Sequence, residues 1–180
     1  MAYTGTVFII GFSGSGKSTI GRRLARRLKA NFFDTDAIIE QKEGRQISEI
    51  FTDEGERYFR RLEKAVILGL LEKRLYNKVI ALGGGAFEMV AIRNEVQNTG
   101  PVIYLRCSQR ELYRRLKDKN DRPLLLRPSG QDLRDRIREL VSRREKNYTK
   151  ADIVLSTTRR SIEQTVRELV LRIRKQYGND

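Results

Sequence analysis

The chain has 180 residues and a formal net charge of +14, which suits one domain with a full core and favours polyanionic partners. Histidine is absent and Cys107 is the single cysteine, so an internal disulfide is excluded and zinc, haem or Ser-His-Asp chemistry is poorly supported. No apolar run approaches membrane-spanning length and the N-terminus lacks a signal-peptide pattern, so we expect a soluble, cytoplasmic protein.

The apolar pattern along the chain predicts strands that alternate with helices. The predicted strands are Thr6–Ile10, Asn31–Asp34, Val79–Leu82, Val102–Leu105 and Ile153–Leu155. Apolar stripes with helical spacing lie between them, at Ile20–Leu28 and Phe59–Leu70, and a last stripe at Ile162–Ile173 follows the final strand. We therefore expect an α/β fold of three layers, a doubly wound parallel sheet with helices on both faces, in a single domain over residues 1–180.

The run Gly11–Ser18 is the most informative motif, because it matches G-x-x-x-x-G-K-[ST] between a predicted strand and a predicted helix. Glycines let successive backbone N–H groups turn towards phosphate oxygens, and the start of the next helix adds the positive end of its dipole. Lys17 can reach the β- and γ-phosphates, and the Ser18 hydroxyl can ligate Mg²⁺. The motif predicts a site for a nucleoside triphosphate.

Asp34 and Asp36 follow the second predicted strand, at the edge of the sheet where ligands gather in α/β folds. A spacing of two residues places both carboxylates on the same side of an extended segment. We expect one carboxylate to hold Mg²⁺ and the other to accept a hydrogen bond from a substrate hydroxyl.

Three further segments carry charge or glycine in informative places. Arg60 and Glu63 share a helix face, either as a surface ion pair or as an arginine fork for a substrate carboxylate. Gly83, Gly84 and Gly85 follow a buried strand and permit close approach of a ligand to the backbone. The stretch 117–130 holds two of the three prolines, and we expect it to be an active-site lid that delivers Arg122, with Arg143 or Arg144 on the next helix.

Taken in order, the motifs resemble those of the shikimate kinases, small kinases with the nucleoside-monophosphate-kinase fold. The resemblance runs from Gly11 to Arg160 through six segments: GFSGSGKST, FFDTDAIIE, FRRLE, ALGGGA, DRPLL and TRR. It implies a five-stranded sheet in the order 2-3-1-4-5 and a helical region for shikimate at about residues 35–63. It also implies ATP-dependent phosphorylation of the shikimate 3-hydroxyl, in the route to chorismate and the aromatic amino acids.

The resemblance implies roles for individual residues. Lys17, Asp36 and Arg122 are the expected catalytic residues, and Ser18 and Asp34 the expected Mg²⁺ ligands. The expected ATP-binding residues are Gly14, Ser15, Gly16, Lys17, Ser18, Thr19, Arg115, Arg122, Pro123, Arg159 and Arg160. The expected shikimate-binding residues are Asp36, Arg60, Glu63, Gly83, Gly84, Gly85 and Arg144.

One departure from the family pattern leaves a choice open. The usual R-x-P-L-Y becomes Arg144-Glu145-Lys146-Asn147-Tyr148, so either Arg143 or Arg144 can face the substrate, and we expect Arg144 because it keeps its spacing to Tyr148. Two other functions stay open at this point: a gluconate or nucleotide kinase, and a nucleic-acid-dependent NTPase suggested by the charge. The expected partners are ATP and shikimate, without membrane or nucleic acid, for a monomeric enzyme.

Overall fold

The computed structural model describes residues 3–73, 77–118 and 131–178. In this part of the chain the strands are β1 Gly5–Ile10, β2 Asn31–Asp34, β3 Asn77–Ala81, β4 Val102–Arg106 and β5 Ile153–Ser156. The helices are α1 Lys17–Leu28, α2 Thr35–Glu43, α3 Ile47–Asp53, α4 Gly55–Glu72, α5 Val90–Thr99, α6 Gln109–Leu116, α7 Leu133–Tyr148 and α8 Ile162–Tyr177. A 3-10 turn, Ala86–Glu88, follows the three glycines.

The five strands form one parallel sheet in the order β2-β3-β1-β4-β5, as the resemblance implied. Side chains alternate across this sheet because successive residues of a strand face opposite ways. In β1, for example, Val7 and Ile9 pack on one face, whereas Phe8 and Ile10 pack on the other. All four side chains are buried, which explains why the strand reads as a continuous apolar run.

Helices cover both faces of the sheet, and each face has its own core. Ile20 and Leu24 of α1 join Val166 and Leu169 of α8 in the core of one face. The core of the other face is formed by side chains of α2, α3, α4, α5 and the end of α7, including Ile39, Ile50, Ile67, Ile92 and Tyr148. The predicted three-layer, doubly wound α/β architecture is therefore confirmed.

A third apolar cluster lies beside the glycine loop and joins α6 to α7. It contains Phe12, Cys107, Leu112, Leu116, Ile137 and Leu140. Through Phe12 this cluster ties the position of the two helices to the phosphate loop. No helix in the described ranges is both long and apolar enough to cross a membrane.

Candidate active site

The glycine loop joins β1 to α1 and has a backbone that only glycine adopts without strain at three positions. Gly11, Gly14 and Gly16 have φ values of 146°, 80° and 100°. A Cβ at Gly11 would also lie 2.7 Å from the Leu105 carbonyl oxygen. The Lys17 ammonium donates hydrogen bonds to the carbonyl oxygens of Gly11 (2.9 Å) and Phe12 (3.2 Å), so it lies directly on the loop. This is the expected arrangement of a phosphate-binding loop.

The second strand brings a carboxylate to the start of α1. The Ser18 hydroxyl donates to Asp34 Oδ2 at 2.5 Å, which places the two expected metal ligands next to each other. The other oxygen, Oδ1, accepts from the backbone N–H of Asp36 at 3.1 Å and caps α2. The predicted extended conformation of Asp34–Asp36 is therefore wrong: Asp34 ends β2, and Asp36 lies in the first turn of α2. Because Asp34 caps it, α2 begins at Thr35, whereas the spacing of the two aspartates predicted an extended chain through Asp36.

The three glycines after β3 form the turn around which the charged side chains gather. A Cβ on Gly83 would clash with Glu63 Oε1 and would lie 2.5 Å from Asp36 Oδ1. The Gly83 N–H donates to the Thr35 hydroxyl at 2.9 Å, which fixes this turn to the start of α2. The backbone of Gly83 is thus covered closely by two carboxylates, one from α2 and one from α4.

Arg60 and Glu63 form an ion pair on α4 with a distance of 2.5 Å between Arg60 Nη1 and Glu63 Oε2. The Glu63 side chain is fully buried and that of Arg60 is 18 % exposed, so the alternative of a surface ion pair is wrong. Arg60 also pairs with Glu56 at 3.0 Å, and its guanidinium lies against Gly85. Burial raises the pKa of Glu63 to about 7; Arg60 opposes this rise, and the nearby Asp36 carboxylate adds to it.

The structure distinguishes the two adjacent arginines of α7, because Arg144 is buried and Arg143 is exposed. The Arg144 guanidinium lies over the Phe12 ring at 5.4 Å, and its Nη1 lies 3.4 Å from an ideal Cβ on Gly84. Its Nε atom is buried and has no hydrogen-bond partner among the described residues. Four residues further on, the Tyr148 hydroxyl donates to the Gly84 carbonyl.

The other side of the glycine loop faces a basic cleft of about 1140 Å³. Arg115 lines this cleft and donates to the Gly14 carbonyl at 2.9 Å, and Glu111 holds the same guanidinium at 2.8 Å. Arg159 and Arg160 also line the cleft, so three of the residues expected to flank adenine meet here. Ser15 is buried in the loop itself, and Thr19 is exposed in the first turn of α1.

Some contacts of the site join residues that sequence reasoning did not single out. Thr35, fully buried, accepts from Gly83, and Phe12 supports Arg144. The buried Thr157 hydroxyl donates to the Ser15 carbonyl at 3.3 Å and ties β5 to the glycine loop. A polar residue between two aspartates was the available sequence signal for Thr35, whereas Phe12 and Thr157 carry no such signal.

Two expected site residues, Arg122 and Pro123, and residues 119–130 of the expected lid lie outside the described residues. Within the described ranges no group of three or more cysteine, aspartate or glutamate side chains forms a metal site.

The fold and the site together define a class of protein. A phosphate loop in a parallel sheet of this order, with carboxylates and guanidiniums opposite it, is typical of a small-molecule P-loop kinase.

Comparisons with known proteins narrow this class to one family. The family model "Shikimate kinase" matches residues 13–174. The chain is 42% identical over 161 residues to the shikimate kinase of Chlorobium chlorochromatii, covering 87% of this chain and 84% of that protein. The solved shikimate kinase from Acinetobacter baumannii in complex with shikimate superimposes with a TM-score of 0.89 at 29% identity, covering 97% of this chain and 96% of that one. The shikimate kinase from Aquifex aeolicus gives a TM-score of 0.81 at 36% identity over 97% and 99% of the two chains.

The chain belongs to the shikimate kinase family. It is accordingly an enzyme that phosphorylates shikimate with ATP, a step of aromatic amino acid biosynthesis. Membership of this family confirms the resemblance stated from the sequence motifs and decides against the alternative of a gluconate or nucleotide kinase.

Proposed function

We propose that the enzyme transfers the γ-phosphoryl group of ATP to the 3-hydroxyl of shikimate, at the turn Gly83–Gly85. Two buried atoms without hydrogen-bond partners among the described residues carry this proposal: Arg144 Nε, a donor, and Glu63 Oε1, an acceptor. The Glu63 carboxylate lies at Gly83 beside Asp36, and the Arg144 guanidinium lies at Gly84. Burying such atoms unpaired costs about 1–3 kcal/mol each, so a ligand that supplies an anionic acceptor and a hydroxyl donor fits them. A hydroxylated carboxylic acid has both groups.

On the acceptor side, Arg60 and Arg144 bind the shikimate carboxylate. Glu63 holds the Arg60 guanidinium in a fixed plane by its ion pair and offers its second oxygen to a ring hydroxyl. Asp36 accepts a hydrogen bond from the 3-hydroxyl and takes its proton as the oxygen attacks the γ-phosphorus. Gly83, Gly84 and Gly85 let these side chains approach the turn.

On the donor side, the N–H groups of residues 14–19 and the Lys17 ammonium bind the phosphates of ATP. Arg115 and one of Arg159 and Arg160 flank the adenine in the basic cleft. Arg122 neutralises charge on the transferring group and Pro123 borders the nucleotide; both roles come from the family resemblance.

The pair Ser18 and Asp34 fits a magnesium ion, because a hydroxyl and a carboxylate are the hard oxygen ligands that Mg²⁺ takes beside nucleotide phosphates. Bound there, the ion supplies positive charge next to the phosphate oxygens. Ser18 and Asp34 hold each other in place through their 2.5 Å hydrogen bond, and Asp34 at the same time fixes the first turn of α2 that carries Asp36.

We also propose that the enzyme is a cytoplasmic monomer. A free, buried thiol at Cys107 suits a reducing compartment. In the described part of the chain the exposed large apolar side chains are scattered over α5, β5 and α8. Among the described residues these few side chains are fewer than a subunit interface of apolar character requires. Light scattering after size-exclusion chromatography should give a mass near the 20.9 kDa of one chain.

The test is a coupled assay of ADP release with shikimate, gluconate, a nucleoside monophosphate and RNA as separate additions. We expect stimulation by shikimate alone, with Mg²⁺ required, and a product whose phosphorus and proton NMR spectra place the phosphate on the 3-oxygen. Phosphate on another hydroxyl would contradict the proposed position of Asp36. Stimulation by RNA would instead support a nucleic-acid function.

A further inference from the structure

The last turn of α7 holds Arg144 between two separate parts of the site. The guanidinium lies over the Phe12 ring of the phosphate loop on one side and against Gly84 on the other. A long arginine side chain has several rotatable bonds, so its position depends on how firmly its helix is held. Three neighbours of Arg144 on α7 make polar contacts with other elements at this point.

Glu145 ties α7 to the central sheet. Its Oε2 accepts from the Tyr104 hydroxyl at 2.6 Å, and its Oε1 lies 3.0 Å from Arg106 Nη2. Both partners belong to β4. Burial, followed by the hydrogen bond to Glu145, raises the pKa of Tyr104, so this hydroxyl remains a donor at neutral pH. The Tyr104 ring in turn packs on the Tyr148 ring at 4.9 Å between centroids.

Asn147 ties the same turn to the segment that follows the three glycines. Its Nδ2 donates to Glu88 Oε1 at 3.0 Å, and Glu88 ends the 3-10 turn directly after Gly85. The Tyr148 hydroxyl adds a bond to the Gly84 carbonyl. The last turn of α7 is therefore fixed to β4 on one side and to the substrate turn on the other.

We infer that Glu145 and Asn147 are positioning residues. They fix the rotation of α7 about its axis and its position along that axis, so that Arg144 meets the substrate carboxylate at Gly84. Asn147 stands where the family's R-x-P-L-Y has leucine, and Glu145 occupies its variable position, so in this chain a polar contact of Asn147 holds the helix end where the family has an apolar side chain. The inference rests on the proposed role of Arg144. Glu145 and Asn147 do not themselves contact the substrate in this proposal; both act through Arg144.

The first test compares kinetic constants of Glu145→Ala and Asn147→Asp with those of the unchanged enzyme. Asn147→Asp keeps the size of the side chain but sets a carboxylate against Glu88. We expect the shikimate KM to rise about fivefold in each, as for the loss of one ordinary hydrogen bond, while the ATP KM stays within twofold. Glu139→Ala, which removes an exposed partner of Arg136 on the same helix, is the matched control and should change neither KM.

The second test repeats both substitutions in an Arg144→Ala background. If Glu145 and Asn147 act through the arginine, they have no further effect on the shikimate KM there, whereas a general loss of stability would lower the unfolding temperature in both backgrounds. Full effects that persist without Arg144 would overturn the inference. An unchanged shikimate KM in Arg144→Ala alone would instead refute the proposed role of Arg144.

The third test is a rescue. Adding Glu88→Gln to Asn147→Asp restores the hydrogen bond with donor and acceptor exchanged, so the shikimate KM should return towards its original value. A double variant that stays as poor as Asn147→Asp would show that this contact does not position Arg144. Since the exchange keeps the sizes of both side chains, a failed rescue would not reflect lost packing.

Discussion

Gly83→Ala is expected to damage the enzyme selectively, because the new methyl group would point at two functional carboxylates. The ideal Cβ lies 2.5 Å from Asp36 Oδ1 and closer still to Glu63 Oε1. The φ angle of Gly83 lies outside the left-handed region, so alanine adds no backbone strain there. The cost therefore falls on the carboxylates, and both of them have to move.

The size of the movement follows from the contact. A comfortable separation is about 3.4 Å, so the Asp36 carboxylate moves by about 1 Å, and a misplacement of this size costs on the order of 100-fold in rate. We expect kcat/KM for shikimate to fall by about 100-fold, equivalent to about 3 kcal/mol of transition-state stabilisation. ADP binding should be unchanged, because the nearest neighbours of the new methyl group are the two carboxylates and not the phosphate loop.

Neighbouring glycines provide matched controls. A Cβ on Gly84 lies at an ordinary contact distance of 3.4 Å from Arg144, so Gly84→Ala should lose less than tenfold. Gly69 lies on α4 with Glu63, and nothing is within 4 Å of its ideal Cβ. Gly69→Ala should leave activity unchanged and stabilise the helix by about 1 kcal/mol.

The assay is initial-rate kinetics with coupled detection of ADP, together with thermal unfolding and titration with ADP. Equal kcat/KM values for Gly83→Ala and Gly84→Ala, in proteins of equal stability, would show that the distances from the new Cβ do not determine the loss of activity. A fall in ADP affinity of Gly83→Ala similar to its fall in kcat/KM would point to a wider disturbance of the site instead.

Three further predictions concern charged groups of the site. Asp36→Asn should lose at least 100-fold in kcat and keep its affinity for ATP in equilibrium titration; near-normal turnover would remove Asp36 from proton transfer. Arg144→Ala should raise the shikimate KM at least tenfold, whereas Arg143→Ala, an exposed neighbour, should not; equal effects would mean that burial does not identify the binding arginine. Because burial raises the folded-state pKa of Glu63 to about 7, its contribution to stability is full below its unfolded value of 4.5 and is lost as the pH rises through about 7. The unfolding temperature of the parent enzyme should therefore fall relative to that of Glu63→Gln between about pH 5 and about pH 8, and parallel curves would contradict the shift.

The sheet could be predicted from the sequence because its three central strands, β1, β3 and β4, are buried on both faces. Runs such as Val7–Ile10 have no polar position, and this pattern appears only where helices cover both sides. The phosphate loop could be predicted equally well, because its chemistry needs one contiguous segment, Gly11–Ser18. The strand order rests on contacts between distant segments, and it came from the family resemblance.

Other features depend on packing and have no local signal. Arg143 and Arg144 are adjacent and differ only by about 100° of rotation around α7, so only the neighbours of the helix decide which one is buried. The capping bond from Asp34 to Asp36 turned an expected extended segment into the start of a helix. Phe12 occupies a variable position of the loop motif, and nothing in the motif indicates that it supports an arginine more than 130 residues away.

The contrast between the two halves of the site has a physical origin. Phosphate is bound largely by backbone N–H groups, which do not depend on the side chains. The sequence therefore only has to supply glycines, within one loop, that allow the backbone to turn these groups towards the phosphate. A hydroxylated carboxylate instead requires side chains with opposite charges at one point, and α2, α4 and α7 each contribute one or more. These side chains lie against the turn Gly83–Gly85, which has no side chains of its own and so lets them come close together. The glycines therefore set the spacing of the acceptor site, and for this reason Gly83→Ala tests the whole arrangement more directly than removing any single charge.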